Sequence, residues 1–496
     1  MRDETHHTTF IERLVGSPGI RSGYASLIVH VAVLIVLALA MIPTGIRVRP
    51  RPIVIVPADA AEHDTDSGSS AGDGLPEPAM VDIAAHAPAA ADPIVPESAP
   101  EIIEPVPPLP PAPVAATPAS VRIADQEVTI VVAARPVGAS PDGADPIRRA
   151  FAGRSGPERG RGVLDHGGSA ASEAAVERGL AWLARHQAAD GSWRFDLSGC
   201  QCDGACRDPG TVSSTTAATG IALLPFLGAG HTHVEGAHRE TVTRAIYYLM
   251  SRMQPTPRGG DLSEGTMYGH GVATLALAEA LGMTRDQALV RYVRDAVRFI
   301  ETAQDLHGGG WRYLPGQPGD TTVTGWQLAA VKSAGLAGIP VPSPTIDGVC
   351  RFLDRVQVRR GEAYGYQSPH SRPATSAIGL LCRLYTGWPD NAAIDRGLAT
   401  LAKPGPAPDA VYLNFYLSQA LLQRDHPAWP KWNSRNRDQL IARQAAIGHE
   451  AGSWFFADPE TAAGGRVAHT ALGVLTLEVY YRLLPIYRPE AVATGW

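Results

Sequence analysis

The chain has 496 residues, 45% hydrophobic and 19% charged, with a formal net charge of −6. That length and apolar content can bury at least one large core. The slightly acidic overall balance offers no general attraction to a phosphate backbone, and no nucleic-acid partner is expected.

Residues 1–23 form an N-terminal tail carrying Arg2, Arg13 and Arg21. The run "ASLIVHVAVLIVLALAMI" from Ala25 to Ile42 then has no Asp, Glu, Lys or Arg. At about 1.5 Å per residue it crosses most of a hydrocarbon core of roughly 30 Å, which predicts a single transmembrane helix over 24–43. A signal peptide is the rival, but the run is long and "MIPTGIRVRPRP" offers no convincing small-residue cleavage site. Arg47, Arg49 and Arg51 follow the span and balance the arginines before it, so charge alone does not orient it. His30 lies four residues after Ser26 inside the span, where a titratable group is expensive. A span with Ser-x3-His before a proline-rich stretch resembles the N-terminal anchor of TonB-type energy-transducing proteins. The resemblance implies an inner-membrane location with the C-terminal domain in the periplasm; a neutral histidine hydrogen-bonded in or near the membrane is the alternative.

Residues 44–167 read as a disordered linker. Between 56 and 145 there are 15 Asp plus Glu against 2 Arg, among many Pro and Ala. Proline blocks helices and central strands, and like charges repel, so the stretch is expected to be extended and to set the reach toward an envelope partner. "EVTIVVAARPV" at 127–137 is a candidate short strand. Arg148, Arg149, Arg154, Arg159 and Arg161 make a basic segment, read as solvated linker, with contact to an acidic surface as the other option.

From 168 to 488 the sequence repeats, leaving a short C-terminal tail at 489–496. A helix-like segment ending in glutamine recurs at Gln187, Gln304, Gln357 and Gln444, each followed by a glycine-bearing turn closed by Trp193, Trp311, Tyr366 or Trp454. Gln254 marks a degraded copy. After each turn comes a second, Gly/Ala-rich apolar helix, as in "SSTTAATGIALLPFLGAG" and "VAHTALGVLTLEVYYR". With "AAIDRGLATLAKPG" and "VYLNFYLSQALLQR" there are six pairs. The second helices are nearly polarless within, as an inner ring packed on both sides would be, and the last is too apolar to cap an open solenoid. An all-α fold, a single closed α/α toroid of six helix pairs, is expected.

"RGLAWLARHQAADGSW" has Gly179, Trp182, Leu183, Gln187, Gly191 and Trp193 in the order and spacing of the QW repeat, and the region resembles the prenyltransferase and squalene-hopene cyclase α/α-toroid superfamily. It is more specifically similar to planctomycete-type, membrane-anchored, single-toroid members. The glutamines and tryptophans are then structural, tying each repeat to the next.

That resemblance implies chemistry at the inner-helix ends. A protonating cyclase needs clustered aspartates in a DxDDT motif, of which "GQPGDTTVTGW" keeps only Asp320 and Thr321. A protein prenyltransferase places Asp, Cys and His on zinc; His469 resembles that histidine, but no Asp-x-Cys opens an inner helix. Polysaccharide-cleaving toroids need a carboxylate pair or a Tyr/His pair. Tyr268, His270, Asp320, Arg372, Tyr412, Asn414 and His469 all fall at predicted inner-helix starts, where positive dipole ends would converge on an acidic or polar ligand. Asp320, His270 and His469 are the catalytic candidates; Tyr268, Thr321, Arg372, Tyr412 and Asn414 are candidate cavity residues.

Three of five cysteines lie in "DLSGCQCDGACRDPG". Cys200, Cys202 and Cys206 could join His231 or His233 on zinc, although C-x-C-x3-C lacks the usual knuckle; a disulfide is the alternative outside the cytoplasm. The expected function is ligand or partner binding in the central cavity, with terpenoid cyclisation and an envelope scaffold as alternatives.

Overall fold

The computed structural model describes residues 120–123, 126–129 and 151–482, all within one unit, Gly74–Trp496. The expected anchor at 24–43 lies outside the described residues; among them no helix is long and apolar enough to cross a membrane. Of the expected strand region, β2 (Gln126–Thr129) pairs antiparallel with β1 (Ser120–Ile123). The folded body extends ahead of the expected start at 168, because a 3-10 turn at Ala152–Arg154 and α1 (Gly156–Asp165) already belong to it.

All six expected pairs form. The first helices are α2 (Ala170–Arg185), α4 (Arg239–Arg252), α6 (Gln287–Ala303), α8 (Ser343–Val356), α10 (Asn391–Ala402) and α12 (Trp429–Arg443). The second helices are α3 (Thr215–Gly228), α5 (Met267–Thr284), α7 (Thr321–Leu336), α9 (Pro373–Tyr385), α11 (Val411–Gln423) and α13 (Gly465–Leu477). Each second helix packs on the next, and α13 returns to α3, so the ring is closed. A helix flanked on both sides and backed by its partner has no face left for water. Every residue from Thr216 to Gly228 in α3, and from Met267 to Gly282 in α5, is accordingly buried. Small residues let the ring close tightly: a Cβ on Gly220 would lie 2.9 Å from the Ala273 backbone, and one on Gly325 2.7 Å from the Ile378 side chain. The outer helices bury a single stripe, in α6 Leu289, Val293, Ala296, Val297, Ile300 and Ala303, the spacing of an amphipathic helix.

The glutamine turns weld neighbouring repeats. Gln187 Nε2 donates to the Gly191 carbonyl and to that of Thr241 in α4, both at 2.9 Å. Gln304 does the same to Gly309 (2.6 Å) and Thr345 of α8 (2.9 Å), and Gln444 to Gly452 and Ala175 of α2, both at 2.8 Å. Each indole N–H closes its own turn: Trp193, Trp311 and Trp454 donate to the carbonyls of Leu183, Ile300 and Leu440, all at 2.8 Å. The fourth copy departs from expectation. Gln357 lies in β5 (Gln357–Val358), paired with β6 (Ala363–Tyr364), and the buried ring is Tyr364, whose N–H donates to Ser376 Oγ as Trp193 N–H does to Thr219 Oγ1. Tyr366 pairs instead with Tyr313. Between these two strands and β2, the short ladder of β3 (Gln254–Thr256) and β4 (Gly259–Asp261) takes the place of the turn in the degraded copy.

The expected basic linker segment closes one end of the ring. Arg154 is fully buried and donates to Glu279 Oε2 at 2.8 Å, while Arg482 of α14 (Val479–Arg482) holds Glu279 Oε1 at 2.6 Å. Arg159 caps the Ala229 carbonyl at 2.9 Å and pairs with Glu173, and Phe151 fills the space a side chain at Gly282 would need. Among the described arginines of that segment, Arg161 alone is solvated as expected, exposed with Glu158, and Arg148 and Arg149 lie outside the described residues.

Candidate functional site

The first turns of α3, α5, α11 and α13 line one axial chamber (Ala217, Tyr268, Tyr412, Ala468), and the later turns of α3, α5, α9 and α13 line another (Leu224, Leu275, Leu381, Leu475). The inner helices therefore run parallel, with their positive dipole ends on one rim. Trp326 of α7 borders both chambers and divides them. Its indole N–H donates to Tyr412 Oη at 3.1 Å, Tyr412 and Tyr268 share a 2.5 Å hydroxyl–hydroxyl bond, and the Phe415 ring stacks 6.2 Å away. Tyr416 stands edge-on to Tyr412 at 5.0 Å. Burial lifts the Tyr268, Tyr412 and Tyr416 phenols well above their usual range, so they are neutral hydrogen-bonding groups. Each chamber retains only about 20 Å³ of free space, room for about one water.

Asp320 sits at this rim, fully buried, as the N-cap of α7. Its Oδ1 accepts from Val323 N–H and Thr322 Oγ1, both at 2.8 Å, and its Oδ2 faces Arg312 Nε at 3.8 Å. Burial pushes the carboxyl up to about 6, against the opposing hydrogen bonds of Val323, Thr322 and Tyr366 and the Arg312 charge. Tyr366 in turn shares a 2.8 Å hydroxyl bond with Tyr313. The carboxyl titrates in a useful range; Oδ1 is spent on the helix cap, and Oδ2 is buried beside Arg312.

His270 braces its own repeat to the outer helix of the next, and His469 braces its own repeat. His270 Nδ1 accepts from Leu262 N–H (3.1 Å) and Nε2 meets the Ala296 carbonyl (3.0 Å); His469 Nδ1 accepts from Phe456 N–H (3.2 Å) and Nε2 meets Thr461 Oγ1 (2.7 Å). Burial lowers them to about 4 and about 3. With both nitrogens of each ring bonded locally, neither has a face for substrate. Asp320, His270 and His469 thus each serve a different repeat. Thr321 bonds the Gly365 carbonyl (2.6 Å), Asn414 bonds Ala407 (2.7 Å), and Arg372 is an exposed N-cap residue. Of the expected cavity residues, only Tyr268 and Tyr412 meet on the axis.

The cysteine loop is a second constellation. Cys202 and Cys206, with His186 and His449, place one ligand atom each within 4.8 Å of one another. Cys200 is not among them; its thiol donates to the Leu197 carbonyl at 3.1 Å. His231 is also elsewhere, against His238 with ring centroids 4.9 Å apart and Glu177 near by, while His233 meets Asp286 at 3.0 Å. All five cysteines are free thiols.

No protein-family model and no curated protein matches the sequence. Among solved structures, the α-1,6-mannanase of Salegentibacter sp. HEL1_6, an inactive variant in complex with α-1,6-mannotriose, aligns with a TM-score of 0.46 at 10% identity, over 62% of this chain and 99% of its own. A family 76 glycoside hydrolase (mannosidase) of Bacteroides thetaiotaomicron gives 0.45 at 12%, over 62% and 97%. A type II terpene cyclase of Scytonema, in complex with geranylgeranyl dihydroxybenzoate, gives 0.41 at 14%, over 63% and 97%. Likenesses this distant say nothing of the chemistry of this chain. The toroid is shown by its own closed ring.

Sequence reasoning missed the axial plug of Trp326, Phe415 and Tyr416, whose aromatic residues read as ordinary inner-helix core. It also missed His186 and His449. The one available signal for His186 was its place beside Gln187 at the end of the first outer helix.

Proposed function

We propose that this chain is a membrane-tethered α/α-toroid of the squalene-cyclase and prenyltransferase type that serves as a binding scaffold in the cell envelope and not as a terpenoid cyclase. The filled axis supports the reading. A small-molecule pocket needs about 300 to 1,000 Å³, whereas the aromatic plug leaves about 20 Å³ on either side of Trp326. Asp320 Oδ1 and both ring nitrogens of His270 and of His469, the groups that a cyclase or a zinc-dependent prenyltransferase would use, are tied to backbone and side-chain groups of the scaffold.

Binding then falls to the rim where the inner helices begin. Half-buried Arg312 and Tyr366 and exposed Arg372 lie there, together with the converging helix N-termini, a combination that suits an acidic segment of an envelope protein. The segment at 24–43 supplies the inner-membrane anchor and the acidic linker the reach into the periplasm.

The test uses the full-length chain in detergent. Incubated with squalene or geranylgeranyl diphosphate it yields no cyclised product by mass spectrometry; product formation overturns the reading. An envelope pull-down recovers a partner that is lost on joint Arg312→Glu and Arg372→Glu substitution, and retention of that partner also counts against it. Alkaline phosphatase fused after residue 496 is active if the toroid is periplasmic.

A further inference from the structure

We infer that His186, Cys202, Cys206 and His449 form a structural zinc site that latches the first repeat of the ring to the last. The inference is independent of what the rim binds.

The spacing of the donors is that of a tetrahedral site. Cys206 Sγ lies 3.3 Å from His186 Nε2 and 3.2 Å from His449 Nδ1, and Cys202 Sγ lies 3.6 Å from His449 Nδ1. Zinc bonds of about 2.3 Å to sulfur and about 2.0 Å to nitrogen put tetrahedral S and N neighbours about 3.6 Å apart. Two thiols and two imidazoles with no carboxylate are the donor set of a closed zinc site, and four protein ligands leave no open position for catalysis.

The surroundings fix the donors. His186 Nδ1 lies 2.7 Å from the Trp182 carbonyl and its ring stacks on the Trp182 indole, centroids 3.9 Å apart. That bond sets the tautomer and leaves Nε2 with a free lone pair aimed at the sulfurs, the outer-shell arrangement usual for metal-bound histidine. Between the cysteines the chain makes a tight turn through left-handed Asp203 (φ 47°) and Gly204 (φ 77°), closed by Ala205 N–H to the Cys202 carbonyl at 2.9 Å. Cys206 N–H donates to Cys202 Sγ at 3.2 Å, so both sulfurs face one point. The C-x3-C spacing lacks the usual two-residue knuckle, and the left-handed pair is what makes it workable.

The position gives the role. His186 follows α2, the cysteines sit between α2 and α3, and His449 comes from the last glutamine turn, 247 and 243 residues beyond Cys202 and Cys206. This is the seam of the ring. Around it Gln444 reaches Ala175, Arg185 reaches the Ala451 carbonyl at 3.1 Å, Arg207 pairs with Glu450 at 2.9 Å and Arg466 pairs with Asp208. A metal bond across so long a span removes much of the freedom of the opened chain, at the junction that no chain connection crosses.

The full-length chain purified without chelator should carry one zinc per molecule by mass-spectrometric metal analysis. Cys202→Ser, Cys206→Ser and His449→Ala should each lose it and lower the thermal midpoint, whereas Cys200→Ser should keep it. Cobalt(II) exchanged into the native chain should give tetrahedral d–d bands with thiolate charge transfer, and zinc X-ray absorption should count two sulfurs and two nitrogens; these spectra decide the matter even if a variant fails to fold. Absence of bound metal after zinc reconstitution, octahedral cobalt without a thiolate band, zinc loss in Cys200→Ser, or a Cys202–Cys206 disulfide as the sole native state would each overturn the inference.

Discussion

Gln444 Nε2 donates 2.8 Å to the carbonyl of Ala175, a residue 269 positions earlier in the chain. The same amide bonds Gly452, and its oxygen accepts from Arg178 Nε at 2.9 Å, so one side chain joins the last outer helix, its own turn and the first outer helix. Gln444→Ala leaves two carbonyls without this donor, and a loss of about 1–3 kcal/mol is expected by urea unfolding. Gln357→Ala, in the copy that replaces the turn with a two-residue ladder, should cost less than about 0.5 kcal/mol. Equal costs would sink the claim that the amide bonds themselves matter.

Arg154 is fully buried against Glu279. Arg482 still holds Glu279 when Arg154 is removed, so the loss is that of the charge-assisted hydrogen bonds of Arg154, about 1–3 kcal/mol. Arg154→Ala is expected to fall in that range by denaturant melting, and a chain starting at 168 to melt well below one starting at 148. Unchanged stability in both would mean that residues 151–165 only decorate the ring.

The buried imidazoles predict an acid limb to stability. His270 and His469 are held neutral by burial, at about 4 and about 3 against an ordinary 6.5. Below pH 6.5 the unfolded chain takes up protons that the folded chain refuses, so their contribution is whole above that pH and is lost as pH falls toward 4. Each pH unit between the folded and unfolded titration points is worth about 1.4 kcal/mol. Replacing His270 with Gln should flatten part of that limb in melts run from pH 7 to pH 4.

Asp320 works in the opposite sense. Its carboxyl is raised to about 6 from 3.8, so the folded chain holds its proton across that window and stability falls as pH rises through it. Asp320→Asn keeps the oxygen that caps Val323 N–H and drops the buried charge. The variant is expected to be as stable as the native chain at pH 7 or more so, by up to about 3 kcal/mol; a loss of that size at pH 7 would show the carboxylate itself to be needed.

The scaffold was legible because its repeat is written locally. Gln187 and Trp193 lie six positions apart in sequence and serve the same turn, so periodicity alone could find them. The fourth turn misled because Tyr364 and Tyr366 both suit an aromatic closure, and only the short ladder of β5 and β6 decides which is buried. Residues 151–165 read as linker since Gly and Arg dominate them; their burial depends on Glu279 and Glu478, far away in the chain. The site residues were least legible. Polar groups at inner-helix starts attract functional readings, yet in a ring packed on all sides those positions carry backbone hydrogen bonds that only a polar side chain can satisfy. His449 could not be joined to Cys202 by spacing, because ring closure, not sequence, sets that distance.

The packing of α14 against α1 and the 3-10 turn before it brings the first and last described residues of the ring, Phe151 and Arg482, together at one end. The order of the repeats is then a matter of where the gene begins and not of how the body is built. A short bridge from Arg482 to Phe151 with a new opening in an exposed connection, such as that around Pro389, should give a circular permutant with the same ring. Both ends of the body are thereby gathered on one side, and the rim bearing Arg312 and Arg372 is turned away from them.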